Sequence, residues 1–269
     1  MTQIIIGTSS WGSKINFKKS LIVGNKLISM GLNYFDTAPN YGSGYSHYIL
    51  NYLGKRNDIK IDTKYGQNIN LSIKEILKRI YRFKNYESFK QSLKYIQFKN
   101  QNRSNKKFWH IKKINSFVNN MLNDLNFCKI KTIYLHTPPY GILNELYLKN
   151  FCNLLKEKKI IAGISDPDER DLEIITKKFP SIKIQLSLNY LYKQKFKLNR
   201  KINEININSI FKTFNENNIN KESNNHYLKN LKKFLKKNKK FNLVLGINSF
   251  NSVRKLPNII KEFIPNHQK

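Results

Sequence analysis

Short apolar runs alternate along this chain with longer stretches in which apolar residues recur every three or four positions. The runs predict strands at Ile4–Gly7, Tyr34–Asp36, Ile59–Thr63, Thr132–His136, Ile160–Ser165, Ile182–Leu188, Ile205–Ile210 and Leu243–Ile247. Most are rich in β-branched residues, as expected of strands buried on both faces. Helical periodicity falls between them, at Lys18–Met30, Ser46–Leu53, Ile114–Leu125, Asn144–Lys156, Asp168–Lys178, Asn225–Lys237 and Ser252–Phe263. In "NSFVNNMLNDL", for example, Phe117, Met121, Leu122 and Leu125 share one helical face. Gly31 is placed to close the first helix and Asp168 to cap the fifth. Strand and helix in alternation imply a parallel sheet. Eight strands in that order fit a single α/β domain over residues 1–269, a (β/α)8 TIM barrel; an open, doubly wound sheet is the alternative.

Two segments break the alternation. After the sixth strand, "YLYKQKFKLNRKINE" is too short and irregular for a full helix, so a shortened sixth helix unit is expected. Residues 67–111 are too many for a simple loop and contain the helical patterns "IKEILKRIYRF" and "ESFKQSLKYIQF". They read as a helical insertion after the third strand, on the face where barrel loops build active sites.

Composition narrows the class. The chain has 269 residues, 40% hydrophobic and 13% aromatic, enough to bury a substantial core. No apolar run is long enough to cross a bilayer, and the start "MTQIIIGTSSWG" has no basic n-region. Cys128 and Cys152 lie far apart and, like His47, His110, His226 and His267, lack metal-ligand spacing, so no metal is expected. A cytoplasmic location is the expectation. The formal net charge of +32 raises nucleic acid or an anionic membrane as partner. However, lysine, asparagine and isoleucine are enriched together, and the lysines are spread along helix faces and loops. That pattern reads as a solvated basic surface with weak polyanion affinity, with no specific nucleic acid and no membrane as partner.

The residues ending the predicted strands change the picture most. Strand two ends on Asp36, with Tyr41 just beyond it in "GLNYFDTAPNYG". Lys64 stands in "DTKYG", His136 in "YLHTPP", Ser165 and Asp166 in "GISD", Gln185 in "IQLSLNY" and Ser249 in "GINS". Taken singly, these residues have ordinary explanations. Asp36 can cap a turn, and Gln185 can satisfy a backbone group. In a barrel, though, all these ends meet at one mouth. Tyrosine, with an ordinary pKa of about 10, is a poor acid at neutral pH. A nearby ammonium stabilises its phenolate, and a buried carboxylate anchors that ammonium. Asp36, Lys64 and Tyr41 thus form a coherent proton donor, and His136 can orient a substrate oxygen. Protonating a carbonyl oxygen requires hydride for its carbon, and no side chain supplies one, which implies a nicotinamide cofactor.

These motifs, with "LGINSFNSVRKLPNI" near the end, resemble those of the aldo-keto reductase family, in family order across most of the chain. The resemblance implies an NAD(P)H-dependent enzyme that reduces an aldehyde or ketone, with Asp36, Tyr41, Lys64 and His136 as catalytic tetrad. It further implies that Ser165, Asp166 and Gln185 hold the nicotinamide amide, and that Ser249, Arg254 and Asn258 hold the adenosine end with its 2′-phosphate. NADP(H) is the expected cofactor and NAD(H) the alternative, because Asn248 replaces a lysine often found beside that phosphate. Other departures are Asp166 where the family usually has asparagine, His47 in place of an acid, and Phe214 in place of a glycine. They keep open a non-catalytic relative acting as a cofactor-binding or regulatory module. Trp11, in the first loop, is expected to line the substrate pocket, and Trp109 to pack the insertion. The basic, aromatic insertion suggests a small carbonyl substrate, anionic or sugar-derived.

Overall fold

The computed structural model describes residues 3–66, 109–187, 204–207, 242–247 and 249–263. Residues 67–108 of the helical insertion, the shortened sixth unit and the helix expected at Asn225–Lys237 lie outside the described residues.

Eight parallel strands close into a barrel in chain order. They are β1 (Ile4–Gly7), β2 (Tyr34–Asp36), β3 (Lys60–Tyr65), β4 (Lys129–His136), β5 (Ile161–Ser165), β6 (Lys183–Ser187), β7 (Glu204–Ile207) and β8 (Asn242–Gly246). Closure comes from β8 pairing with β1, Ile4 opposite Leu243 through Gly7 opposite Gly246. The described helices are α1 (Phe17–Ser29), α2 (Tyr45–Gly54), α3 (Ile111–Asp124), α4 (Glu145–Glu157), α5 (Glu169–Lys178) and α6 (Phe250–Phe263). Among the described residues no helix is long and apolar enough to cross a membrane.

The connections follow from local chemistry. After α1 the Leu32 amide reaches back to the Leu27 carbonyl and the Gly31 amide to that of Ile28. This six-to-one and five-to-two pairing needs a left-handed residue, supplied by Gly31 at φ 79°. The same pairing ends α4, where Ile160 reaches Leu155 and Lys159 reaches Lys156, but the left-handed residue is Lys159 at φ 58°. Asn16, Asn144 and Asp168 cap the starts of α1, α4 and α5, each side chain accepting a backbone N–H.

Period two along each strand divides the packing. Outward residues such as Ile61, Ile133, Leu135 and Ile164 join one large apolar cluster with the helices. Among the described residues a small apolar cluster of Ile5, Tyr34 and Val244 lies inside the barrel. Asp36, Asp62, Lys64, Thr132 and Gln185 are buried there as well, so several described strands carry polar residues on their inner face rather than apolar ones on both faces.

Candidate active site

The C-terminal ends of the strands share one end of the barrel, and that brings the candidate residues together. Asp36 is the last residue of β2, His136 of β4 and Ser165 of β5, and Lys64 is the penultimate residue of β3. Tyr41 opens a short 3-10 turn, Tyr41–Gly44, that leads into α2. Gly42 permits this turn. It sits at φ 53°, and a Cβ there would lie 1.7 Å from the Trp11 carbonyl oxygen. No larger residue can stand beside Tyr41 without moving one loop or the other.

At the centre is the buried ion pair of Lys64 Nζ and Asp36 Oδ2, both side chains 1% exposed. The same carboxylate oxygen accepts the Gln185 Nε2 amide at 3.0 Å, and Gln185 Oε1 accepts the Ser165 hydroxyl at 3.3 Å. Lys64 Nζ also donates to the Thr37 carbonyl at 3.4 Å and lies 5.2 Å from the centre of the Tyr41 ring. Burial pushes the Lys64 ammonium towards neutrality, but Asp36, Tyr41 and Asp62 outweigh it and hold its pKa above the ordinary lysine value. Lys64 is thus a permanent cation at neutral pH.

The Tyr41 phenol behaves differently from the sequence expectation. Burial raises its pKa and is the largest influence; Lys64 opposes it by charge and by a hydrogen bond, while Asp36 and Asp166 add to the rise. The net direction is upward. Lys64 moderates the cost of forming phenolate without making Tyr41 a strong acid in the resting site.

His136 is buried, and its strand position pairs with Ser165. Directly after these two come Thr137 and Asp166, both in left-handed backbone, at φ 51° and 47°. Such strain in two adjacent loops is typical of a site held rigidly by its scaffold. The Thr137 amide bonds the Ser165 carbonyl and the Asp166 amide bonds the Gln185 carbonyl, which ties the strand ends together. Asp166 Oδ1 accepts the Ser187 amide at 2.6 Å. Burial lifts the Asp166 carboxyl above the ordinary range, against the pull of Ser187 and Lys64.

Gln185 is fully buried, and its amide links Asp36 to Ser165. One expectation changes here. Trp11 is also fully buried. Its ring packs edge-on to Phe35, 5.7 Å between centres, and against Gly24 of α1. It lies in the helix–sheet layer and does not line the mouth. Trp109 packs at the end of β3, edge-on to Tyr65.

The adenosine-end candidates sit on the last described helix. Ser249 caps α6, its hydroxyl accepting the Ser252 amide at 3.1 Å. Phe250, Arg254 and Asn258, four residues apart, form one exposed face, with the Arg254 guanidinium 5.3 Å from the Phe250 ring centre. An exposed guanidinium on the first turns of a helix suits a phosphate. Ser165 Oγ and the Asp166 carboxyl keep acceptor capacity for the N–H of a carboxamide, so the residues present fit a nicotinamide dinucleotide.

Three residues escaped the sequence reading: Thr8, Thr37 and Ser46, buried hydroxyls that touch one another around Asp36. The signal was there, since Thr8 and Thr37 directly follow β1 and β2, and Ser46 interrupts the buried face of α2.

Comparison with known proteins agrees with this architecture. No match is found among curated proteins. Among solved structures, the chain resembles the holo form of aldo-keto reductase AKR11C1 from Bacillus halodurans, with TM-score 0.66 and 14% identity over 96% of this chain and 86% of that one. It also resembles glycerol dehydrogenase AKR11B4 from Gluconobacter oxydans, with TM-score 0.57 and 15% identity over 99% and 93%. At these identities the likeness shows the fold. The sequence profile described as Aldo/keto reductase family matches residues 3–245, from just before β1 to the penultimate residue of β8, and ends before Ser249. With its profile spanning the barrel from β1 into β8, the chain belongs to the aldo/keto reductase family.

Proposed function

We infer that the chain is an NAD(P)H-dependent oxidoreductase that reduces an aldehyde or ketone to an alcohol, with Tyr41 as proton donor. The observation that carries this reading is the buried Asp36–Lys64 ion pair beneath the Tyr41 ring, with His136 at the end of the next strand. The nicotinamide cofactor, when bound, supplies the hydride to the carbonyl carbon. Ser165 and Asp166 hold its carboxamide, and Arg254 and Asn258, with Ser249, hold the adenosine end. The Asp166 carboxyl stands where the family usually has an amide and serves as an acceptor for the carboxamide N–H. His136 orients the substrate oxygen, and the Tyr41 hydroxyl gives it a proton. Lys64 is the cation that steadies the phenolate left behind, which is why a raised resting pKa is compatible with catalysis. Asp36 keeps Lys64 charged and in place.

The substrate is a small carbonyl compound. One solved structure of this fold is named a glycerol dehydrogenase, so polyol-derived aldehydes and ketones are the first to try. The test is cofactor oxidation across a carbonyl panel by the wild type and by Tyr41→Phe. The expected result is turnover by the wild type, and loss of about a thousandfold or more in the variant with cofactor affinity nearly unchanged. Turnover retained by Tyr41→Phe overturns the mechanism. Cofactor binding without any turnover by the wild type makes the chain a non-catalytic member of the family.

A further inference from the structure

The geometry points to a directed chain of buried hydroxyls, Thr37 to Ser46 to Thr8, that positions Asp36 and clamps the loop carrying Tyr41. This rests on the carbonyl-reduction reading above. All three residues are 0% exposed. The Thr8 hydroxyl donates to the Asp36 carbonyl at 3.0 Å, and the Thr8 amide donates to the same oxygen at 3.0 Å. Thr8 Oγ1 lies 2.6 Å from Ser46 Oγ, and Ser46 Oγ lies 2.9 Å from Thr37 Oγ1.

A hydroxyl carries one hydrogen. That of Thr8 is committed to the Asp36 carbonyl, so Ser46 must donate to Thr8. With its own hydrogen used, Ser46 must accept from Thr37. The order Thr37→Ser46→Thr8→Asp36 is therefore fixed, and each bond polarises the next.

The placement of the chain gives it a task. Thr37 and Ser46 are nine residues apart in sequence, and Tyr41 lies between them. Their bond closes the loop that presents the phenol. The other polar groups of Thr37 are held as well: its amide bonds the Asp62 carbonyl at 2.8 Å, and its carbonyl accepts from Lys64 Nζ. On the next residue of α2, His47 Nε2 meets the Thr63 hydroxyl at 3.2 Å, which anchors the same helix to β3. Alanine and valine would fill these positions without burying hydroxyls. The hydroxyls instead fix the main chain on both sides of Tyr41. Thr8, Thr37 and Ser46 are positioning residues.

The test compares Thr8→Val, which keeps the shape, with Thr8→Ser, which keeps the hydroxyl, in steady-state kinetics, NADPH titration and ultraviolet titration of the Tyr41 phenol referenced to Tyr41→Phe. Thr8→Val is expected to lower kcat about tenfold or more, leave KM and NADPH affinity within about twofold, and move the Tyr41 titration upward as the phenol slips from Lys64. Thr8→Ser is expected to restore kcat to within about threefold. If Thr8→Val matches the wild type in kcat and titration, the proposal is overturned. It is equally overturned if Thr8→Val and Thr8→Ser lose activity alike with a parallel rise in KM, which is the mark of a packing role. Should Thr8→Val fail to fold, Ser46→Ala carries the same expectations and the same refutation. If the wild type reduces no carbonyl, the catalytic reading fails by itself, and the phenol titration still decides the hydroxyl chain.

Discussion

Replacing Lys64 by methionine separates what the buried ion pair does for stability from what it does for chemistry. Both partners are 1% exposed, so removing the ammonium leaves the Asp36 carboxylate without its cationic partner in the barrel interior. Breaking a buried pair from one side costs about 3–5 kcal/mol. For a chain of 269 residues that corresponds to a fall in Tm of roughly 5–9 °C. The Tyr41 phenol loses both of its lowering influences, so its pKa rises further and kcat falls by about 10²–10⁴. The decisive variant is Asp36→Asn combined with Lys64→Met. It removes the stranded charge, so most of the lost stability returns, while activity stays low because the cation is still absent. Circular dichroism melts and cofactor oxidation measured on the two variants and the wild type check both halves. A double variant no more stable than Lys64→Met would refute the buried-charge argument. A Lys64→Met enzyme with wild-type kcat would refute the role given to the ammonium.

Three further outcomes are expected. Burial and the Lys64 ammonium hold the His47 imidazole down at about 3, so below pH 6.5 the unfolded chain takes up a proton that the folded chain refuses. By pH 5 this removes about 2 kcal/mol of stability; His47→Gln should shrink the difference between urea midpoints at the two pH values, and an unchanged difference would count against it. Gly42→Ala forces a Cβ against the Trp11 carbonyl and should cost more than about 2 kcal/mol, with kcat falling as Tyr41 is displaced. A wild-type melt would show that the turn relaxes without strain. Lys159→Gly relieves a left-handed lysine at the end of α4. Because Lys159 precedes the start of β5 while Ser165 ends that strand, the substitution should raise stability by about 1 kcal/mol in chemical denaturation with kcat unaltered.

Much of the fold was legible because period and punctuation are local properties. The β1 and β2 boundaries, Ile4–Gly7 and Tyr34–Asp36, agree with the sequence reading to the residue. Gly31 and Asp168 end and begin their helices as their conformational and capping chemistry dictates. Candidate residues at strand ends could be grouped in advance, since a parallel closed sheet sends every strand's end to one mouth.

What the sequence alone determined is the alternation, the strand ends and the residue types available there. Which way each side chain points was decided by closure of the barrel. Trp11 read as a mouth residue because it follows β1, but its ring turns into the helix layer against Phe35 and Gly24. The bonds by which Gln185 joins Asp36 to Ser165 likewise exist only across the closed barrel. The Thr8, Thr37 and Ser46 contacts join two strand ends to a helix, and nothing in the local sequence spells them out. Even the direction of the Tyr41 shift turned on burial, a property of the assembled barrel, outweighing the neighbouring cation that the sequence had placed beside it. Local patterns follow from chain stereochemistry; contacts between distant segments, and the water they exclude, exist only once those segments have packed.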